Sequence, residues 1–276
     1  MAWRSLVTGA LDVVVTRPEP DHAALLTAVE RRGCRPIHCP AFRLDSADPD
    51  RVRRDFLSGS GFDRLIVTSP MAARILLEAV SAARLAGTAL LAPGEGTAGV
   101  LQAAGLHVDV PVSGATSEDL LRLPGLESVG GLAIAIAGAP GGRALLGQQL
   151  GARGARITRL NVYRRVARAP TTRLLGLLDP KTPAAAGLVV LISSAGAFKS
   201  LTEAVGATRR ARWLEADFIV SSPRLESICR RAGVKRVWLA DGPRDTQMID
   251  VLDRLLRLRS VGASVGVAGP DRCGNA

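Results

Sequence analysis

Six apolar, strand-like runs in this chain end in Ser, Thr, Gly or Pro just where a helix-like segment begins. They are VVVTRPEP (Val13–Pro20), LIVTSPMAA (Leu65–Ala73), LLAPGEGTA (Leu90–Ala98), AIAGAPGGR (Ala135–Arg143), VLISSAGA (Val190–Ala197) and FIVSSPRLE (Phe218–Glu226). A helix N-terminus offers unpaired backbone N–H groups and the positive end of the helix dipole, and a nearby hydroxyl adds a further donor. In open parallel sheets, ligands bind at the carboxyl ends of the strands. Six such junctions describe a site for a ligand carrying many negative charges.

The machinery of ordinary hydrolysis or redox chemistry is missing. His22, His38 and His107 lie near no Ser, Cys or carboxylate signature of a triad, and each reads as structural. There is no HExxH and no Cys/His cluster, so no metal is expected. GEGTAG (Gly94–Gly99) is not a dinucleotide fingerprint, and APGGRALL lacks the GK[ST] ending of a phosphate loop. The glycines of both segments fit turn roles as well as anion binding. Tyr163, the only Tyr in the chain, lies in NVYRRV. Its phenol can donate or accept a proton or orient a water. On pattern alone, a half-buried strand aromatic with its hydroxyl at the surface accounts for it better.

Composition narrows the partners. The 276 residues carry 36 Lys+Arg against 25 Asp+Glu, a net charge of +11, and only Lys181, Lys199 and Lys235 are Lys. Much of the Arg excess reads as a genomic bias. The remainder suits a polyanion. Nucleic acid is disfavoured, because there is no dense basic run, no interleaved aromatics and no zinc pattern. Cys34, Cys39, Cys229 and Cys273 show no CxxC spacing, and Met1–Ala10 lacks a secretory pattern. The expectation is reduced thiols in a cytoplasmic protein. No run reaches the ~18 apolar residues of a membrane helix.

The elements that must position these residues alternate strand and helix throughout, which argues an α/β fold with parallel sheets. Hydrophobic content of 47% with only 3% aromatics suits Leu-, Val-, Ile- and Ala-based packing of helices on strands. Two extended stretches, Arg35–Asp45 and Arg156–Val166, bracket a central block, and their pairing would make a two-stranded bridge. The expected layout is two similar doubly wound, flavodoxin-like lobes, one inserted in the other. Residues 1–40 and 168–260 form lobe 1, 47–160 lobe 2, 41–46 and 161–167 the connector, and 261–276 a disordered tail. Asp45–Arg54 reads as a linker, and Ala169–Gly187 as a connection plus one helix.

With these segments in order, the chain resembles the uroporphyrinogen-III synthase family. The match runs through VVVTRPEP, FDRLIVTSPMAARILLEAV, GTAGVLQAAGL, ATSEDLL, GGRALLGQQLGARGARI and NVYRRV to ISSAGAFKSL, VSSPRLESICRRAGV and DGPRDTQMIDVL, about Leu11–Leu258. Each motif is short, and their order carries the specificity. With no sign of oligomerisation in the sequence, a monomer is expected, and the resemblance implies a cofactor-free lyase of heme and porphyrin biosynthesis. It would close linear hydroxymethylbilane into uroporphyrinogen III with inversion of ring D and loss of water. The poly-acid substrate fits the basic chain, and its own pyrroles can expel the hydroxyl. By resemblance, Tyr163 assists hydroxide departure. Thr68, Ser69, Gly94, Thr97, Ser117, Gly142, Ser193, Ser194 and Ser222 would hold carboxylates, with Arg17, Arg143 and Arg224 adding charge. The chain departs from the family at Gly138–Ala139, at Ser193–Ser194–Ala195 and in the turn after Leu91. These departures touch binding loops and leave the fold expectation intact. Other readings are a two-lobed, non-catalytic binding protein for a poly-carboxylate tetrapyrrole and, far behind, a nucleic-acid-binding protein.

Overall fold

The computed structural model describes residues 10–58, 61–112, 116–141, 144–182 and 187–265. The chain divides into two compact units, Met1–Arg43 with Ala167–Ala276, and Leu44–Val166. The first unit opens with β1 (Asp12–Val15), α1 (Ala23–Glu30) and β2 (Arg35–His38). From β3 (Phe42–Ser46) the chain enters the second unit through α2 (Pro49–Leu57), β4 (Arg64–Val67), α3 (Pro70–Ala79) and α4 (Ala82–Leu85). It continues with β5 (Ala89–Leu91), α5 (Glu95–Gln102), β6 (Val108–Asp109), α6 (Ser117–Leu120), α7 (Pro124–Glu127), β7 (Ala133–Gly138), α8 (Ala144–Ala152) and β8 (Arg156–Asn161). It then returns by β9 (Tyr163–Ala167) to α9 (Thr172–Leu177), β10 (Leu188–Ile192), α10 (Ala195–Ala204) and α11 (Ala207–Glu215). The last elements are β11 (Asp217–Val220), α12 (Pro223–Arg231), β12 (Arg236–Leu239) and α13 (Asp245–Val265).

Each unit is built on a five-stranded, wholly parallel sheet, β12-β11-β10-β1-β2 in the first and β6-β5-β4-β7-β8 in the second. The continuous apolar runs of the sequence follow from this, since a parallel strand with helices on both faces has no wet side. In β1, Val14 joins one core and Val13 and Val15 join another, as the period-2 alternation of a strand requires. In β4, Leu65 and Val67 face the α3 and α5 side, and Ile66 faces the side of Leu120, Leu146 and Leu150. The same sheets set two switch points, where the strand order reverses and a crevice opens beyond the strand ends. One lies between β1 and β10, the other between β4 and β7. Counted along the chain within each unit, the strand orders are 2-1-3-4-5 in the first and 3-2-1-4-5 in the second. Both units are doubly wound, and they differ in where their second and third strands lie.

β3 and β9 form the two-stranded connector, with Ala47 N–H donating to Val162 C=O and Arg168 N–H to Ala41 C=O. Each extended stretch of the sequence is therefore divided: β2 and β8 join their own five-stranded sheets, and only β3 and β9 pair. Three segments depart from expectation. The linker at Asp45–Arg54 is instead the end of β3 and most of α2, with Pro49 at its first position and Asp48 accepting from Asp50 N–H. Pro at the first turn starts a helix rather than breaking it. Helix α11, Arg-rich and without an apolar stripe, is anchored by Trp213, which is fully buried edge-on to Phe218 and donates Nε1–H to Thr202. Helix α13 runs to Val265, past the start of the expected irregular tail, whose remaining residues lie outside those described.

Candidate active site

At the second unit's switch point, β4 ends in Val67-Thr68-Ser69-Pro70. Thr68 sends both its backbone N–H (3.0 Å) and its hydroxyl (2.9 Å) to the Ala137 carbonyl of β7. Its single hydroxyl proton is thereby spent, so the expected donation from Thr68 to a ligand carboxylate does not fit this geometry. The latch explains Gly138: a Cβ there would lie 2.2 Å from Thr68 Oγ1. Ser69 is the N-cap of α3 and accepts from Ala72 N–H at 3.2 Å, with Pro70 pre-set for the first helical turn.

Ser69 also meets Tyr163. Their hydroxyl oxygens are 3.2 Å apart, and Tyr163 is 5% exposed, its ring in the core that holds Val52, Phe56 and Leu76. The hydroxyl expected at the surface is thus partnered, and Tyr163 is among the residues lining a cleft of about 450 Å³, with Arg51, Pro140, Asn161 and Arg164. Arg51 and Arg164 remain more than half exposed and pair with Asp55 and Asp45 at 3.5 and 3.4 Å. The cleft thus sets the buried Tyr163 beside two Arg residues. Neither Arg51 nor Arg164 was singled out from the sequence. Arg164 directly follows Tyr163, and that adjacency was the available signal.

Other expected holders in this unit behave differently. Gly94 is the N-cap of α5 with extended backbone, and no side chain caps that helix. Thr97 is 3% exposed within α5, so burial removes it from the set that can reach a ligand. Ser117 opens α6, but the cap is Thr116, which exchanges hydrogen bonds with Asp119 in a capping box. Gly142 and Arg143 lie outside the described residues.

The first unit repeats the latch. Thr16, at the end of β1, sends its backbone N–H (3.3 Å) and hydroxyl (2.9 Å) to Leu191 C=O on β10. The residue that follows is Arg17, and here the two units part. Arg17 donates to Pro243 C=O at 2.6 Å and pairs with Asp245 at 3.0 Å, so it is held by α13's approach and does not stand open for a ligand. Ser194 caps α10 and Ser222 caps α12, accepting from Ala197 and Leu225 N–H at 3.4 and 3.3 Å. As caps they keep their own O–H free to donate. Ser193 is exposed, its carbonyl accepting from Ser221, and Arg224 is exposed in the first turn of α12. Three expected holders of this unit (Ser193, Ser194 and Ser222) therefore gather at the ends of β10 and β11.

Two doubly wound units, each on a parallel sheet, a two-stranded connector and hydroxyl-capped helix starts at the strand ends define a two-unit α/β protein. The family model for uroporphyrinogen-III synthase HemD matches residues 23–250. The chain belongs to that family of enzymes of tetrapyrrole synthesis. Among solved structures, it is similar to a mutant uroporphyrinogen III synthase of the extremely thermophilic bacterium Thermus thermophilus, with 22% identity and a TM-score of 0.66, over 90% of this chain and 100% of that one. It is also similar to the uroporphyrinogen-III synthetase of Helicobacter pylori, with 17% identity and a TM-score of 0.55, over 90% and 100%. These likenesses bear on the fold. No helix among the described residues is long and apolar enough to cross a membrane.

Proposed function

We propose that this chain converts hydroxymethylbilane into uroporphyrinogen III, acting as a monomeric cytoplasmic lyase that eliminates water and needs no cofactor. The observation that carries the reading is the Tyr163–Ser69 pair at the β4/β7 switch point, set in a chain of this family. The reaction asks the protein for positioning, charge and one proton. The substrate's terminal hydroxyl must leave as water, its pyrroles stabilising the cation left behind. Ring closure at the substituted carbon of ring D, fragmentation and recombination then invert that ring.

Tyr163 supplies the proton in this scheme. The Ser69 oxygen already accepts from Ala72 N–H, so its own O–H is available to Tyr163 Oη. A phenol that accepts from Ser69 is left with its proton aimed elsewhere, toward the departing hydroxyl. Burial of the ring fixes the position of the phenol oxygen. Arg51 and Arg164 attract the carboxylates. Within the first unit, the hydroxyls of Ser194 and Ser222, beside Ser193 and Arg224, are the groups suited to a carboxylate at its strand ends. Arg17, held by Asp245, shapes that end rather than binding directly.

The test is the isomer produced. Hydroxymethylbilane generated in situ is mixed with the purified protein, and the oxidised porphyrins are separated. Predominantly type III isomer is expected. Type I alone, the spontaneous product, would overturn the reading in favour of a non-catalytic tetrapyrrole-binding protein.

A further inference from the structure

Outside the proposed active site, the first unit brings together three side chains that no local sequence motif connects. Glu19 and His22 lie on the loop from β1 into α1, and His38 ends β2. One donor atom from each falls within 4.8 Å of the other two. The sequence offers no metal pattern because the residues reach each other only through the β1–β2 pairing, which sets Val15 opposite His38. A neutral imidazole coordinates through one nitrogen while the other, protonated, is held by a carbonyl or carboxylate that fixes the tautomer. His38 has this second contact: its Nε2 lies 2.9 Å from Arg17 C=O, an oxygen that can only accept, so the lone pair falls on Nδ1. His22 Nδ1 is buried and has no hydrogen-bond partner. An orphaned buried nitrogen is a cost the fold carries without return unless something binds it.

We infer that Glu19, His22 and His38 form a binding site for a divalent first-row transition metal such as Zn2+, with two imidazoles and one carboxylate as ligands. That donor set suits Zn2+ and its neighbours and is a poor one for Mg2+ or Ca2+. Binding rearranges two contacts. The rings of His22 and His38 are stacked, with centroids 4.1 Å apart and planes 14° apart, and two imidazoles sharing an ion must each keep it in plane. One ring therefore turns. His22, whose Nδ1 has no hydrogen bond to lose, is that ring. Glu19 must also leave Arg168, its partner at 3.8 Å, a long and exposed pair that costs little to break. The consequence is local: the ion pins the β1–α1 loop, which carries Arg17, to the end of β2.

Calorimetric titration of the metal-free full chain with Zn2+ tests this, using Mg2+ as the contrasting ion. One Zn2+ per chain is expected, with no saturable heat from Mg2+. His22→Asn and His38→Asn should each weaken Zn2+ by at least about tenfold, the lower bound of what disturbing a metal ligand's shell costs. Glu19→Gln should weaken it less, and His107→Asn, changing an exposed His elsewhere, should leave it unaltered. If His38→Asn does not fold, His22→Asn and Glu19→Gln, both at solvent-accessible positions, carry the comparison. Co2+ substitution reports the donors: a spectrum without thiolate charge transfer is expected. No saturable Zn2+ binding, affinity unchanged in His22→Asn, or a thiolate band pointing to the cysteines would each overturn the site.

Discussion

The two units meet the same problem, how to end a parallel strand at a switch point, with the same Thr latch and then diverge. Thr16 and Thr68 each tie strand to strand through one carbonyl, Leu191 or Ala137. After the latch, the first unit places Arg17, which its own α13 start holds through Pro243 and Asp245. The second unit places Ser69, which meets a buried phenol. The contrast extends to the strand starts. Asp12 and Asp217, both in the first unit, are the buried carboxylates among the described residues. Asp12 takes Arg35 and Arg173, and Asp217 takes Arg236, Arg259 and the Trp238 indole. The second unit's counterpart at the start of β4, Asp63, is exposed and accepts from Ala133 N–H at 2.8 Å. The first unit thus buries carboxylates in ion pairs at its strand starts, whereas the second leaves its carboxylate exposed there and buries a phenol beside Ser69.

The largest effect that can break this comparison is at Asp217. Asp217→Ala leaves two Arg side chains and an indole N–H without their acceptor and should cost about 3–5 kcal/mol in denaturant unfolding. Asp63→Ala should cost less than about 1 kcal/mol. Equal losses would erase the distinction between the units. Next comes Gly138→Ala, whose added carbon displaces the Thr68 hydroxyl from Ala137. A loss of about 1–3 kcal/mol is expected, with hydrogen-exchange protection falling in β4 and β7 and unchanged in β1 and β10. Uniform loss across both sheets would contradict a latch local to each unit.

A smaller effect follows pH. Burial pushes the Cys229 thiol up to about 12, and Cys34 and Cys39, in the same unit, upward too. An unfolded thiol ionises near 9.0, whereas folded Cys229 keeps its proton to about 12. Over that window the unfolded state loses a proton that the folded state retains, so stability falls as pH rises. The stability advantage of wild type over Cys229→Ala should therefore shrink steadily from about pH 9 upward. A constant difference in urea midpoint across that range would show that the thiol's burial does not couple to ionisation.

Much of this fold can be read directly from the residue pattern. The apolar runs bounded by Ser, Thr, Pro and Gly mark β1, β4, β7, β10 and β11, because strands buried on both faces leave no polar alternation to misread. What the pattern hides is polar or long-range. Helix α2 is masked by Pro49, which reads as a breaker unless the Asp48 cap is recognised. Helix α11 is masked by its arginines. The site divides in the same way. Ser69, Ser194 and Ser222 are legible as caps before Pro or Ala. That the Thr68 proton is spent, that Arg17 is tied down and that Thr97 is buried depend on neighbours far along the chain. The Tyr163–Ser69 contact spans 94 residues, and no local spacing encodes it.

The proposed role of the buried Tyr163 hydroxyl as proton donor is tested most directly by Tyr163→Phe. The substitution removes one oxygen and keeps the ring in its core, so the melting temperature should change little, by the equivalent of about 1 kcal/mol. Type III isomer formation, measured under single-turnover conditions, should slow by about 10²-fold, within the range that a positioned general acid contributes. Ser69→Ala should slow it less while weakening the α3 cap by about 1 kcal/mol. A Tyr163→Phe enzyme that makes type III isomer at the wild-type rate would contradict the assignment and return Tyr163 to a purely structural role in the second unit's core.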